Sequence, residues 1–374
     1  MTVLAGGRFV TPEGIVAGWL EVDGRRIAAL GPGAPPRPAE RDFGGKWVVP
    51  GFVDIHVHGG ARAAYMSGDQ DEAVMVADLH RRHGTTTTMA SLVTGDEAAM
   101  TTTVASLADL VDDGLLAGIH LEGPFLAEAR RGAHDPRLLR APEPALVDRL
   151  LGAGHGTVRM VTLAPELPHA VDAVRRIAAA GAIAAVGHTD ATYSQTRAAV
   201  DAGATVATHL FNAMRPLHHR EPGPVPALLE DDRVTVELIC DGVHLHAAVV
   251  RLAIESAGAD RVALVTDAMA ATGAGDGDYI LGELAVRVED GVARLVEGGA
   301  IAGSTLTMDR AIQFVVEAGF AVEDAVRMAS TTPATLLGWA DRVGSLAVGL
   351  DADLVVLDER FARQAVMAKG AWLD

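Results

Sequence analysis

The chain has 374 residues, of which 49% are hydrophobic, and its formal net charge at pH 7 is -18. This length and apolar content suit a large domain with a small companion and argue against disorder, while the negative charge excludes general binding to nucleic acid or acidic membranes. No apolar run reaches the roughly 18 residues of a membrane span, and the first residues, MTVLAGGRFVTPEG, lack the features of a signal peptide. The single cysteine, Cys240, fits a reducing compartment. We therefore expect a soluble cytoplasmic protein.

Both ends of the chain predict β structure. The segments GRFVTPEGIV, GWLEVDGRRIAAL and WVV predict hairpins whose turns are marked by Gly and Pro. Near the other end, DADLVVLD and QAVMAKGAWL predict further strands. We therefore expect residues 1–48 and 344–374 to form one small sheet or sandwich, with residues 49–343 inserted between them as a separate domain.

The inserted segment alternates short apolar runs with Ala-rich helical patterns. The runs that predict strands are GFVDIHVH, TTTTMASL, LAGIHLEG, VRMVTLAP, IAAVGHT, TVATHLF, VTVELIC and VALVTDA. Helical patterns such as PHAVDAVRRIAAAG and TYSQTRAAVDAG lie between them and end in glycine. About eight strand–helix units predict a parallel (β/α)8 barrel, although a doubly wound open sheet would give the same periodicity. The absence of a glycine-rich phosphate loop after any strand favours the barrel.

Candidate metal ligands collect at the carboxyl ends of the predicted strands. In chain order they are His56, His58, Glu122, His188, His209 and Asp267. These strand ends share one face of a parallel barrel, and residues two apart on a strand point the same way. Imidazoles and a carboxylate together suit zinc or ferrous iron. Each residue alone could be a helix cap or a core histidine, but their common position predicts a metal site.

A metal-dependent hydrolase also needs a group that moves the proton of the attacking water, and Asp267 is the candidate. Lys46 and Lys369 are the two lysines of the chain, and both lie outside the predicted barrel strands. A carboxylated lysine bridging two ions is therefore excluded. Glu122 would provide the carboxylate instead. The segment TGAGDGDY, which follows Asp267, predicts either a mobile flap or a connecting turn.

Together these residues resemble a known family. The motifs PGFVDIHVHG, HLEGPF, GAHDP, GHTDA, THLFNAM, ICDGVHL, LVTDAM and IAGSTLTMD, in this order, are similar to those of the N-acetylglucosamine-6-phosphate deacetylases of the amidohydrolase superfamily. The resemblance covers nearly the whole chain. It implies a distorted (β/α)8 TIM barrel with a small β-sandwich domain formed by both termini. It also implies metal-dependent hydrolysis of the acetamide of N-acetylglucosamine 6-phosphate, in amino-sugar catabolism and cell-wall recycling.

The resemblance further implies roles for the strand-end residues. Glu122, His188 and His209 match the principal metal ligands of the family, and Asp267 matches its catalytic acid and base. Some members replace both histidines of the first strand and hold one ion. Because this chain keeps His56 and His58, we expect one or two ions, Zn or Fe(II), per subunit.

Substrate contacts are implied in the same way. Ala133 and His134 match a loop that contacts the sugar and its acetamido group, and His134 is a second catalytic candidate because its imidazole can polarise the amide carbonyl. Arg220 matches an arginine that reaches the phosphate bound by a neighbouring subunit, which implies a homodimer. The remaining substrate-binding candidates are Asn212, Ala213, Asp241, His244, Ile301, Ala302 and Gly303.

Three alternatives to this activity stay open. A sibling enzyme would act on N-acetylgalactosamine 6-phosphate, and the sequence does not separate the two sugars. A cyclic-amide hydrolase is disfavoured because the barrel strands lack a lysine. A catalytically inactive barrel that only binds ligands is opposed by the retention of every candidate ligand and of Asp267.

Overall fold

The structure is a computed structural model of the chain and describes residues 1–373. Its strands are β1 Thr2–Thr11, β2 Gly14–Asp23, β3 Arg26–Pro32, β4 Arg41–Asp42, β5 Trp47–Pro50, β6 Phe52–Asp54, β7 Gly59–Gly60, β8 Ala63–Ala64, β9 Thr85–Thr88, β10 Ala90–Val93, β11 Ile119–Glu122, β12 Val158–Leu163, β13 Ile183–Val186, β14 Ala204–Ala207, β15 Thr235–Ile239, β16 Val262–Val265, β17 Gly277–Leu281, β18 Leu284–Glu289, β19 Val292–Leu295, β20 Leu354–Leu357, β21 Arg363–Ala368 and β22 Ala371–Leu373. Its α-helices are α1 Gln70–Arg82, α2 Glu97–Asp112, α3 Pro144–Ala153, α4 Ala170–Ala179, α5 Tyr193–Ala202, α6 Pro224–Leu229, α7 Ala247–Ala257, α8 Met308–Glu317, α9 Val322–Val326 and α10 Thr332–Leu336.

The chain divides into two compact units. The first contains Met1–Asp54, His80–Thr87 and the chain from Thr307 onward, and the second contains Ile55–Leu79 and Thr88–Leu306. The domain boundaries predicted after residues 48 and 343 stay predictions. The predicted last segment ends at Asp374, which lies outside the described residues.

The first unit is built around an eight-stranded sheet to which both ends of the chain contribute. Its strand order is β22-β21-β20-β5-β1-β2-β3, and β4 pairs with β1. The two ends meet where β5 and β20 pair antiparallel, with Val48 opposite Val356. Leu20, Leu354 and Met367 are buried in one core shared by strands from both ends. The sheet domain predicted from the terminal hairpins is therefore confirmed.

The second unit contains a seven-stranded parallel sheet whose strands follow chain order from β10 to β16. The Ala-rich patterns predicted as helices form α4 and α5. The α5 helix begins at a capping box made by Thr192 and Gln195, and it ends at Gly203, whose φ of +119° suits glycine. Repeated strand–helix units of this kind bring the carboxyl ends of all seven strands to one face.

Residues just after β6 occupy the remaining position between the first and last strands of this parallel sheet. The amide of Ser91 in β10 donates to the carbonyl of Val57 at 2.8 Å, and Val57 forms a parallel bridge with Ala268, beyond β16. The predicted strand TTTTMASL is interrupted at Met89, between β9 and β10. The fold is the predicted (β/α)8 barrel in a distorted form.

An antiparallel sheet of β17, β18 and β19 follows the last barrel strand. The segment TGAGDGDY leads into β17, and its Tyr279 packs in a small apolar core with Leu281, Val286 and Met269. The segment thus joins β16 to an ordered three-stranded sheet. Among the described residues, no helix has both the length and the apolar character that crossing a membrane requires.

Candidate active site

The structure brings the predicted ligands Glu122, His188 and His209 together. Glu122 is the last residue of β11, and its Oε1 lies 2.9 Å from Nε2 of His209 and 3.1 Å from Nε2 of His188. The two imidazole Nε2 atoms are themselves 3.1 Å apart. All three side chains are buried. Three donor atoms from three strands therefore converge on one point.

His56, His58 and Asp267 form a second group beside the same glutamate. Nε2 of His58 lies 3.1 Å from Glu122 Oε2 and 3.1 Å from Asp267 Oδ1. His56 and His58 face each other through Nε2 atoms 3.1 Å apart. Glu122 is thus shared by two groups of buried ligands.

The donor set fits a divalent cation. Nδ1 of His58 donates to the carbonyl of Ser91 at 3.1 Å, and Nδ1 of His188 donates to the carbonyl of Arg130 at 2.9 Å, so each ring presents the lone pair of Nε2. Ligand atoms bound to one zinc ion at about 2.0–2.1 Å lie about 3.0–3.4 Å apart, which matches the spacings above. Donor atoms this closely spaced can share a cation or, in its place, protons. The buried cluster is therefore that of a divalent-metal site.

An unusual backbone conformation orients three of these side chains towards the cluster. His188, His209 and Asp267 have φ angles of 46°, 27° and 50°, in the left-handed region that non-glycine residues rarely adopt. Each residue stands two positions after the end of its strand: β13, β14 and β16 respectively. The sharp turn at each position directs the side chain inward instead of along the strand.

Electrostatic coupling in the cluster is strong. Burial opposes protonation of His58, but hydrogen bonds to Asp267 and Glu122 outweigh it and raise the pKa of His58 to about 9. Burial also disfavours the charged form of Asp267, yet His56 and His58 lower the pKa of Asp267 to about 2. Burial, aided by His134, lowers the pKa of His188 to about 4. Asp267 is therefore an ionised proton acceptor at neutral pH.

His134 is oriented by the end of strand β10. Its Nδ1 accepts hydrogen bonds from the backbone amide of Thr94 at 3.3 Å and from Thr94 Oγ1, 2.9 Å away. Because an amide N–H can only donate, the proton of neutral His134 resides on Nε2. That Nε2 lies 3.4 Å from Glu122 Oε2. His134 therefore presents a hydrogen-bond donor beside the metal ligands.

A cavity of about 340 Å³ opens over the cluster. The predicted site residues that line it are His58, Glu122, Ala133, His134, His188, His209, Asn212, Ala213, His244, Asp267, Ile301 and Gly303. Its wall also contains the apolar side chains Val93 and Leu281. A cavity of this size, with polar groups converging at one end, suits a small polar substrate such as a sugar.

Four predicted site residues are not part of the cavity wall. His56 is fully buried among the other ligands, and Ala302 is buried in the core beneath β17 to β19. Asp241 contacts His244, which lines the cavity, through its Oδ2 atom, 2.7 Å from Nδ1 of His244. Arg220 is exposed, and its guanidinium contacts Nε2 of His219 at 2.7 Å.

Sequence reasoning missed Thr94, Leu281 and Glu237. Glu237 accepts a hydrogen bond from Nδ1 of His56 at 3.1 Å from inside the barrel. Glu237 is the single acidic residue in the apolar run VTVELIC, and this position could have identified it from the sequence. Thr94 follows an unremarkable strand and Leu281 lies far along the chain, so no local pattern identified either.

The chain is similar in sequence and structure to known proteins. The model of the amidohydrolase family matches residues 47–373. The structure of a mutant N-acetyl-D-glucosamine-6-phosphate deacetylase from Mycobacterium smegmatis, in complex with N-acetyl-D-glucosamine-6-phosphate, superposes with a TM-score of 0.96 at 49% identity, covering 99% of this chain and 98% of that one. An N-acetylgalactosamine-6-phosphate deacetylase of Escherichia coli O157:H7 is 38% identical over 98% of both chains. The N-acetylglucosamine-6-phosphate deacetylase of Bos taurus is 37% identical over 98% of this chain and 89% of its own length.

Proposed function

The chain belongs to the amidohydrolase family, and we propose that it hydrolyses the acetamide of N-acetylglucosamine 6-phosphate to glucosamine 6-phosphate and acetate. The observation that carries the proposal is the convergence of Glu122, His188, His209 and Asp267 at the inner end of the cavity. The similarity to deacetylases over nearly the whole chain supplies the substrate class.

In this proposal Glu122, His188 and His209 would hold the principal ion, and His56 and His58 with Glu122 would hold a second. Zn or Fe(II) suits these imidazole and carboxylate donors. A bound divalent ion would lower the pKa of water towards about 7 and polarise the acetyl carbonyl. The buried ligand cluster and its short donor spacings support this assignment.

The chemistry of the chain's own residues follows from their protonation. Asp267, ionised at neutral pH, accepts the proton of the water that attacks the acetyl carbon. Asp267 then returns that proton to the nitrogen as the C–N bond breaks, so that the amine leaves neutral together with acetic acid, which then loses its own proton to give acetate. His134 donates its Nε2–H to the carbonyl oxygen, on which negative charge develops in the transition state.

Substrate binding is assigned to the wall and rim of the cavity. Ala133, Asn212, Ala213, His244 and the segment 301–303 enclose the sugar, and Asp241 holds His244 in place. Arg220, exposed and outside the cavity wall, contacts the phosphate bound by the other subunit of a homodimer. A guanidinium suits phosphate because it can form paired hydrogen bonds. We place this reaction in the cytoplasm, in amino-sugar catabolism and cell-wall recycling.

N-acetylgalactosamine 6-phosphate is the second candidate substrate, since a deacetylase of that name is 38% identical over 98% of this chain. The two sugars differ only in the configuration at one hydroxyl carbon. Measuring kcat/KM for both phosphates and for their unphosphorylated forms identifies the preferred one. A higher value for the galacto compound would overturn the assignment of the sugar while leaving the deacetylation chemistry intact.

The decisive test of the mechanism is Asp267→Asn, which preserves the shape of the side chain and removes the proton acceptor. Loss of general acid and base catalysis should lower kcat for acetate release about 10²–10⁴-fold. Metal analysis of the same preparation must show unchanged content, because Asp267 lies near His58. Near-normal turnover with a full complement of metal would refute the role of Asp267.

A further inference from the structure

Glu237 is a buried acidic residue to which the proposed reaction gives no role. It occupies the middle of β15, whose sequence is TVELI, and its side chain is fully buried. Its neighbours Val236 and Leu238 are also fully buried. Burying a carboxylate among apolar residues is costly unless it is well compensated, so the presence of a glutamate here requires an explanation.

The Oε2 atom of Glu237 contacts one residue from each ligand group. It lies 3.1 Å from Nδ1 of His56 and accepts a hydrogen bond from the backbone amide of His209 at 3.0 Å. His56 belongs to the group that contains His58 and Asp267, and His209 belongs to the group that contains His188. A single carboxylate oxygen therefore links both halves of the cluster from beneath.

The contact with His56 determines which ring nitrogen is available to a metal. A carboxylate can only accept, so Nδ1 of His56 carries the hydrogen and Nε2 presents its lone pair. That Nε2 faces Nε2 of His58 at 3.1 Å. In metal sites, a carboxylate behind a histidine fixes the ring and increases its basicity in this way.

The contact with His209 stabilises an unfavourable backbone conformation. His209 has a φ angle of 27°, and its amide points into the barrel interior, where Glu237 is its acceptor. A buried amide without a partner would cost about 1–3 kcal/mol. Glu237 therefore also holds the backbone from which the His209 ring reaches Glu122.

Both contacts of Glu237 described above are made by Oε2. Oε1 is buried and makes no hydrogen bond within the described chain. If Glu237 served only as a hydrogen-bond acceptor for His209, a neutral glutamine would do so with less desolvation cost. We propose that Glu237 is a positioning residue that orients His56 for metal binding and supports the backbone of His209. This inference rests on the metal centre proposed above.

The test is a double-mutant cycle on metal affinity. Protein stripped of metal is titrated with Zn²⁺ against a competing chelator for wild type, Glu237→Gln, His56→Asn and the double variant. Glutamine keeps an acceptor for the His209 amide but removes the charge behind His56. We expect Glu237→Gln to raise the Zn²⁺ dissociation constant at least about 10-fold in the wild-type background. In the His56→Asn background its effect should fall to about twofold or less, because its target is gone.

A further variant isolates the contact with His209. Glu237→Leu removes the acceptor altogether, so it should weaken Zn²⁺ binding even in the His56→Asn background. Thr162→Val is the matched control, since Thr162 Oγ1 is buried in the same barrel interior, 2.8 Å from Nε2 of His120. This variant loses two buried hydrogen bonds, to His120 and to Thr208 Oγ1 at 2.8 Å, and neither involves a proposed ligand. Its Zn²⁺ affinity should stay within about twofold of wild type. Thermal melting of the stripped proteins verifies that every variant is folded.

Each outcome is decisive. Equal Zn²⁺ affinities of wild type and Glu237→Gln, or the same loss in both backgrounds, would overturn the positioning role at His56. A neutral effect of Glu237→Leu in the His56→Asn background would overturn the role at His209. Failure of the wild-type protein to bind Zn²⁺ would instead overturn the metal centre itself.

Discussion

The orientation of His134 leads to a prediction about Thr94. Thr94 is buried, and its hydroxyl has two acceptors within reach: Nδ1 of His134 at 2.9 Å and the carbonyl of Glu122 at 3.5 Å. The shorter contact receives the hydroxyl proton and keeps the His134 proton on Nε2, where it faces the cavity. Thr94→Val removes this hydrogen bond with little change in shape, while the backbone amide of Thr94 still donates to Nδ1.

The expected size of the effect follows from these contacts. A neutral hydrogen bond contributes about 1 kcal/mol, so Thr94→Val should lower kcat roughly 5-fold. Removing the donor with His134→Phe should lower it about 10²–10³-fold, as for other oxyanion donors. Because the donor acts on charge that develops in the transition state, KM should change little.

Steady-state assays of acetate release test this reasoning, with Thr94→Ser as the matched control that keeps the hydroxyl. Thr94→Ser should retain most of the wild-type kcat. The reasoning fails if Thr94→Val has the wild-type kcat, or if Thr94→Ser loses as much as Thr94→Val. A change confined to KM would show that Thr94 contributes to substrate binding and not to the orientation of the donor.

Two further predictions concern phosphate recognition and pH. Arg220→Ala should raise KM for the phosphorylated sugar about 10–100-fold, because charge-assisted hydrogen bonds to phosphate contribute about 1.5–3 kcal/mol. The kinetics with the unphosphorylated sugar should stay unchanged. Equal effects on both sugars would contradict this prediction. Burial raises the pKa of Asp353 from 3.8 to about 6, so its ionisation destabilises the fold by up to about 3 kcal/mol as pH rises from about 4 to 6. About 1 kcal/mol of this loss has already occurred at pH 4.5, so Asp353→Asn should gain about 2 kcal/mol of stability relative to wild type in urea denaturation at pH 8 compared with pH 4.5. A gain independent of pH would contradict this prediction.

The barrel and the terminal sheet could be predicted because their signals are local. Apolar runs and glycine-terminated Ala-rich patterns correspond to β10 to β16 and to helices such as α4 and α5. The interruption of TTTTMASL at Met89 could not be predicted, since four threonines and the residues after them all favour extended structure. Where a strand breaks depends on its neighbours across the sheet, and those lie far away in the sequence.

The members of the site could be predicted better than its geometry. Parallel strands bring their carboxyl ends to one face, so the strand-end positions of Glu122, His188 and His209 were sufficient to predict that they meet. The sequence did not indicate which atoms would hold each ring. His56 is held by Glu237, which lies 181 residues away in the sequence. His134 is held by Thr94, which lies 40 residues away. Such long-range pairs follow from the closed barrel and not from any nearby motif.

The left-handed residues after the strands explain how the barrel gathers these ligands. A non-glycine residue in this region costs about 1–3 kcal/mol and persists only where surrounding contacts compensate for it. At Asp267 the amide donates to the carbonyl of His56 at 2.8 Å, and the carbonyl accepts from the amide of Ser304 at 2.7 Å. At His209 the amide is bonded to Glu237, and the carbonyl accepts from the amide of Asn212 at 3.0 Å. Because these compensating bonds come from the protein, the folded barrel itself holds the ligands in position, and metal binding need not supply the energy of that strain.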